Sequence, residues 1–209
     1  NQMRQRYHSK RFIFSDEAIN NSYEYLEGLC DVFIKNKLNI DWIVLAKISN
    51  LDTHILKKMH KAGCRSLSFG IESGSDRLLK LMNKGFSSEQ ANKVLRWAFE
   101  AGIKNRVSFI AGYPYETQAD ISQTSEFIKK NRKYFSSFGV YPFTLMYGSD
   151  MYLNFDKYNL TNLRPRGYSF SYFSFDESLG LKWNEKQRQQ EQSRNQIIKT
   201  IRTTKAPLL

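Results

Sequence analysis

The sequence predicts an α/β fold of parallel strands alternating with helices, and three observations carry that prediction. Short β-branched or aromatic runs begin near residues 12, 42, 66, 107 and 138. Between each pair lies a segment whose apolar residues recur at helical period. Every spacing leaves room for a helical crossover, which parallel neighbours need and an antiparallel hairpin does not. Five such units give an open parallel sheet or an arc of a barrel, and periodicity alone does not choose between them.

Taken in order, Phe12-Ile13-Phe14 reads as the first strand. Asn21-Ser22 form a cap pair ahead of a stripe at Leu26, Leu29, Cys30, Phe33 and Ile34, the i, i+3, i+4, i+7, i+8 pattern of a helix. Trp42-Ile43-Val44-Leu45 reads as a buried strand. Asp52 caps a helix that buries Ile55, Leu56 and Met59 and stops at Gly63. Leu67 to Ile71 is a strand, followed by a short helix through Leu78, Leu79 and Met82 that ends at Gly85. Ser87 and Gln90 make a capping box for a helix carrying Val94, Leu95 and Ala98, stopped by Gly102. Val107 to Ala111 is the next strand, Thr117 and Asp120 open a helix reaching about Tyr134, and Phe138 to Tyr141 is the last clear strand. Residues 148–181 show no clean period, although alternation over 168–175 fits a strand with one aromatic face. A polar, Gln- and Arg-rich helix from about Asn184 to Ile201 closes the chain. The organisation expected is a body over 1–147 and a C-terminal extension over 148–209.

Composition bounds the function classes. A chain of 209 residues buries about 70% of its unfolded surface on folding and needs no disulfide or metal staple. No apolar run approaches the roughly 18 residues of a membrane span, and no signal-peptide core opens the chain. Two cysteines, Cys30 and Cys64, make no disulfide framework and cannot ligate a cluster alone, which points to a reducing cytoplasm. The three histidines, His8, His54 and His60, sit at no metal spacing. Residue 1 is Asn rather than Met, so an upstream segment is expected. The net charge of +12 is uneven: residues 1–11 carry +4, residues 182–209 carry +5, and the 170 residues between carry +3. Basic ends beside a nearly neutral body read either as solvated helices or as a nucleic-acid surface.

In parallel α/β sheets ligands sit beyond the carboxyl ends of the strands. The residues there are Asp16-Glu17, Lys47, Glu72-Ser73-Gly74, Gly112-Tyr113-Pro114 and Tyr141-Pro142. Acids, a base, glycines and aromatics thus share one rim. Strand-end Asp and Ser also cap helices, so each taken singly admits a structural reading.

Several segments carry a resemblance. They are Phe14-Ser15-Asp16-Glu17, His60-Lys61-Ala62-Gly63-Cys64, Phe69-Gly70-Ile71-Glu72-Ser73-Gly74-Ser75, Lys84-Gly85, Glu100-Ala101-Gly102-Ile103 and Phe109 to Thr117 with Gly112-Tyr113-Pro114-Tyr115-Glu116-Thr117. Their order and spacing over about residues 10–147 resemble the radical S-adenosylmethionine (SAM) superfamily, most closely the branch that often carries an upstream cobalamin-binding domain and includes methylthiotransferase-like enzymes. The resemblance implies a partial (β/α)6 TIM-like barrel. It implies SAM contacts at Glu72 with Ser73, at Asp16 with Glu17 near the methionyl amino group, and at Ile110, Gly112 and Pro114 flanking the adenine. Gly70 and Gly74 beside Glu72 leave room for a ligand near the backbone, and a carboxylate there accepts hydrogen bonds from a ribose diol or an ammonium group.

The chain also departs from that pattern. The family's C-x-x-x-C-x-x-C loop after the first barrel strand holds a [4Fe–4S] cluster, and no such triplet is present. Cys30 on a helix stripe and Cys64 after a glycine stop read as core residues, and Lys47 stands where many relatives place an arginine. The expectation is a Fe–S oxidoreductase core that lacks its first strand and is inert alone; intact, it would cleave SAM reductively to a 5′-deoxyadenosyl radical, with cobalamin as an additional cofactor left open. Such a core would leave an unpaired edge near Phe12–Phe14, to be covered by a dimer or higher assembly. The competing expectation is an RNA-binding module using the basic ends and the 168–175 aromatics. A phosphate-binding enzyme is the third, but Gly70 to Ser75 lacks the lysine of a P-loop.

Overall fold

The computed structural model describes residues 2–167 and 169–205. A short helix α1 (Gln2–Tyr7) leads into β1 (Arg11–Phe14), α2 (Tyr23–Lys35), β2 (Asp41–Leu45), α3 (Thr53–Lys61) and β3 (Cys64–Glu72). Two helices follow, α4 (Asp76–Leu81) and α5 (Ser88–Glu100), then β4 (Lys104–Ala111), α6 (Gln118–Asn131) with a 3-10 turn at Arg132–Tyr134, and β5 (Phe135–Pro142). All five strands expected from the sequence are present, β1 to β5 lie in chain order, and every pairing between neighbours is parallel.

The helix starts follow the capping residues. Ser22 accepts the Tyr25 N–H at 3.2 Å and Asp52 that of Ile55 at 2.8 Å. Ser87 with Gln90, and Thr117 with Asp120, form reciprocal capping boxes. Gly63 at φ +97° and Gly102 at φ +82° take the left-handed conformation that ends α3 and α5. One stop differs: α4 ends at Leu81, and it is Asn83 (φ +52°) that turns the chain, ahead of Gly85.

Beyond β5 come β6 (Leu145–Met146), α7 (Asp150–Leu153), β7 (Leu160–Arg166), β8 (Ser169–Glu177) and α8 (Trp183–Thr203). Strands β6, β8 and β7 form a second, antiparallel sheet. The single aromatic face expected over 168–175 does not form. Phe173 and Phe175 are buried while Tyr172 is exposed, because 172 and 173 are consecutive and strand alternation turns them to opposite faces. Tyr168 lies outside the described residues.

The main core fills the space between the helices and one face of the parallel sheet. Trp42, Leu67, Phe69, Ile71 and Phe109 meet Leu26, Ile55, Leu56, Met59 and Leu95, and each such burial contributes about 1.5–3 kcal/mol. Ile197 and Ile201 of α8 belong to that core, so the terminal helix seals the body, lying on α6, β4 and β5. A second cluster joins Leu78 and Tyr113 to Leu145, Leu160, Phe173 and Phe175 of the antiparallel sheet. Among the described residues no helix is long and apolar enough to cross a membrane.

Candidate cofactor-binding site

Strand alternation builds the site. On β3, Leu67, Phe69 and Ile71 are buried toward the helices, which turns Ser68, Gly70 and Glu72 to the opposite face. On β4, Val107, Phe109 and Ala111 are buried and Arg106, Ser108 and Ile110 share that opposite face. The same holds on β2, where Trp42 and Val44 are buried while Ile43 and Leu45 look outward; the strand is therefore one-sided, not buried throughout. A hollow of about 340 Å³ lies against this second face. The register aligns Gly70 with Ser108 and Ser108 with Gly139, so a row of small residues lines its middle.

Glu72 stands at the carboxyl end of β3 with φ +65°, where the pairing with β4 shifts register between Gly70 and Glu72. Its side chain folds back over Gly70: a Cβ at residue 70 would lie 2.3 Å from Glu72 Oε1. Lys84 brings its Nζ to 3.7 Å from the same oxygen. Burial pushes the Glu72 carboxyl up from its ordinary pKa, and the Lys84 charge partly opposes that. Across the hollow Tyr141 covers Gly139 in the same way, its hydroxyl 2.6 Å from where a Cβ would sit.

Asp16 and Glu17 lie on the same carboxyl-end rim, in the loop after β1, with β2 between them and β3. Both are exposed, and neither carboxylate has a hydrogen-bond or ion-pair partner among the described residues. Ile110 is half-buried, pairs in register with Tyr141 and packs on the second cluster.

The other expected site residues sit behind the rim. Ser73 is buried, with its hydroxyl 3.0 Å from Thr124 Oγ1 and accepting the Ser75 N–H at 3.0 Å. Gly74 opens no space for a ligand, because a Cβ there would lie 2.5 Å from Phe127 Cβ; its role is close packing on α6. Gly112, at φ +72°, donates its N–H to Glu116 Oε2 at 2.9 Å, and a Cβ would meet Gln190 Cγ at 2.1 Å. Pro114 is buried. The Gly112–Pro114 bend therefore faces α8, and the hollow receives Glu72 and the β4–β5 wall directly.

Sequence reasoning missed Lys186 and Asn20, which hold these loops, and read Asp120 only as a helix opener. Lys186 of α8 is fully buried, 2.7 Å from Glu177 Oε1, and donates to the Tyr113 carbonyl at 2.7 Å. Burial lowers its pKa, against the pull of Glu177. Asn20 clamps the loop after β2 by donating to the Lys47 and Ser49 carbonyls and accepting the Lys47 N–H at 2.9 Å. Asp120, despite burial that alone would raise it, is held well below the usual carboxylate range by Arg77, Ser75 and Thr117.

The cysteines do not make an iron–sulfur site. Cys30 and Cys64 are both buried in the main core, and burial pushes the Cys30 thiol up to about 11 and the Cys64 thiol higher still, against the thiolate form a cluster requires. Among the described residues no group of three His, Cys, Asp or Glu could hold a metal ion.

Residues 11–128, more than half of the sequence, match the family model of the radical SAM superfamily. The chain belongs to that superfamily. Among curated relatives of this radical SAM chain, an uncharacterized methyltransferase of Pyrococcus horikoshii is 32% identical over 126 residues, covering 52% of this chain and 28% of the relative. A putative methylthiotransferase of Methanocaldococcus jannaschii is 35% identical over 106 residues, covering 51% and 23%. The chain thus spans about a quarter of the length of these relatives. Among solved structures, the radical SAM methyltransferase TsrM of Kitasatospora setae superposes with a TM-score of 0.60 at 19% identity in its cobalamin- and [4Fe–4S]-bound form, over 69% of this chain and 29% of that one. Its form with tryptophan and aza-SAM gives 0.63 at 18% identity, over 76% and 33%. These likenesses are of fold, and they make the five-stranded sheet an arc of a TIM-type barrel.

Proposed function

We propose that the hollow binds the SAM of a methyl- or methylthio-transferring enzyme, and that Glu72 is its anchoring residue. The observation that supports this is a carboxylate held in a left-handed backbone over a glycine, beside Lys84 and at the mouth of a cavity walled by small residues. The cofactor carries an ammonium, a carboxylate and a ribose diol at one end. Glu72 accepts hydrogen bonds from the ammonium or the diol, and Lys84 meets the carboxylate. Asp16 and Glu17 supply further acceptors from the first strand, and Ile110 an apolar wall for the adenine. Ser73, Gly112 and Pro114 act from behind, by fixing the loops that end β3 and β4. The bound sulfonium supplies the carbon–sulfur bond whose reductive cleavage is the superfamily's chemistry, and this chain orients it and excludes water. The [4Fe–4S] cluster has no ligands among Cys30 and Cys64, so no step is assigned through it. The relatives' names support group transfer over other outcomes, and the two buried free thiols support a cytoplasmic setting.

Calorimetric titration of the chain with SAM tests the assignment. Glu72→Gln should weaken binding about ten- to hundredfold, the scale of one lost charge-assisted contact, with the cooperative fold retained. Equal affinity in the two proteins would remove Glu72 from the site.

A further inference from the structure

We propose that the concave wall carries an oxyanion subsite centred on Arg106, which receives a carboxylate or phosphate group of the substrate; naming the ligand as substrate rests on the cofactor reading above. Arg106 occupies the middle of the sheet. It lies on β4 between β3 and β5, level with Ser68 on one side and Ser137 on the other. Its chain neighbours Asn105 and Val107 are buried toward the helices, so strand alternation delivers the guanidinium to the hollow that also contains Glu72.

The surroundings of Arg106 are what a bound anion requires. Among the described residues its guanidinium has no hydrogen-bond or ion-pair partner, and the hydroxyls of Ser68, Ser108 and Ser137 have none either. Both acids that the strands turn to this face are already paired, Asp41 with Arg65 at 2.7 Å and Glu72 with Lys84 at 3.7 Å. Lys104, two residues before Arg106 on the same face, is also without a side-chain partner among the described residues. The wall is thus positively charged, with free hydroxyl donors of Ser68 and Ser137 level with Arg106 and that of Ser108 two residues further along the same face. A planar fork of N–H donors flanked by hydroxyls matches the geometry of a carboxylate or phosphate. The small side chains at 68, 108, 137 and 139 leave the volume to admit one. Because Lys84 stands beside Glu72 for the methionyl carboxylate, Arg106 remains for a second, separate anion.

Heteronuclear NMR titrations of the chain with sodium phosphate and with sodium succinate, each against sodium chloride at matched ionic strength, test the subsite. Saturable shifts are expected at the Ser68, Ser108 and Ser137 amides with at least one probe, and the tighter probe distinguishes a phosphate from a carboxylate source. Arg106→Gln should weaken that binding by about tenfold or more, and Arg106→Lys less, because the charge survives without the fork. SAM affinity should stay within about twofold in both variants, because the two ends of the hollow act separately. Arg106 lies level with Ser68, three residues along β4 from the Phe109 level at which Glu72 stands. The proposal is overturned if neither probe gives shifts beyond chloride, if Arg106→Gln binds as the wild type does, or if SAM affinity falls in step with the probe. Unaltered SAM binding in Glu72→Gln alongside Arg106-dependent probe binding would instead overturn the cofactor reading and leave an oxyanion site standing.

Discussion

A glutamate in left-handed backbone is a costly choice, since the Cβ clash that glycine escapes is worth roughly 1–2 kcal/mol. Glu72 adds a second cost, because its carboxyl is buried and its pKa is raised. Both costs fall on the residue proposed above to anchor the cofactor, as expected where binding, not stability, fixes the side chain. Glu72→Gly should therefore raise the unfolding free energy by about 1 kcal/mol while abolishing SAM binding. The sign of its pH dependence follows from the direction of the shift. A carboxyl whose folded pKa lies above its unfolded value costs stability as pH rises between the two, so the variant's advantage should widen from acid to neutral pH. Denaturant melts across that range check it, and a variant less stable than wild type at neutral pH would contradict the assignment of strain. Glu72 was legible in the sequence because its neighbours Gly70 and Ser73 stand beside it in one motif. Lys84 was legible only as part of a Lys-Gly pair, since its approach to Glu72 depends on how α4 returns the chain. Arg106 looked like any basic residue until the register placed Ser68 and Ser137 on either side.

The elements divide by how their buried faces are made. Helices α2 to α5 and the five parallel strands bury mostly apolar stripes, and α6 opens on a capping box, so period and caps located them. Helix α8 buries Lys186, Gln190, Ser193, Ile197 and Ile201, a face of correct helical period whose first three members are polar. A hydrophobic pattern cannot reveal such a face, and the helix reads as solvated. Strand β7 contains Pro165 and a left-handed Asn162, and it hides for a similar reason. What holds α8 is a polar network in which Glu177 accepts the Tyr115 and Leu181 N–H groups at 2.7 and 3.0 Å and pairs with Lys186. Lys186→Met leaves a buried carboxylate uncompensated and should cost about 3–5 kcal/mol. Adding Glu177→Gln removes that charge while keeping an acceptor, and should recover about 1–2 kcal/mol of the loss. Chemical denaturation of the single and double variants measures the coupling, and additive losses would show that the pair does not interact.

At the scale of the molecule, the parallel sheet has an open flank. Among the described residues β1 pairs only with β2, and Ile13, 75% exposed, lies level with Ile43 on the face that also carries the exposed Leu45. An unpaired strand beside exposed apolar groups is a template for association. We propose that two copies cover this flank in solution, and charge decides the conditions. Each copy carries +12, so long-range repulsion opposes the contact at low ionic strength. Salt at about 0.15 M shortens the screening length to about 8 Å, leaving the apolar and strand-pairing contacts at the edge largely intact. Light scattering should accordingly show a monomer at low salt passing to a dimer as salt and concentration rise, the reverse of a dimer held by ion pairs. Ile13→Lys places a charge on the edge and removes its exposed apolar group, and should keep the chain monomeric throughout with little change in thermal stability, since Ile13 contributes almost nothing to the core. A wild-type chain that stays monodisperse and monomeric at high salt and high concentration, or an Ile13→Lys variant that dimerises as the wild type does, would show that the β1 edge is not where copies meet.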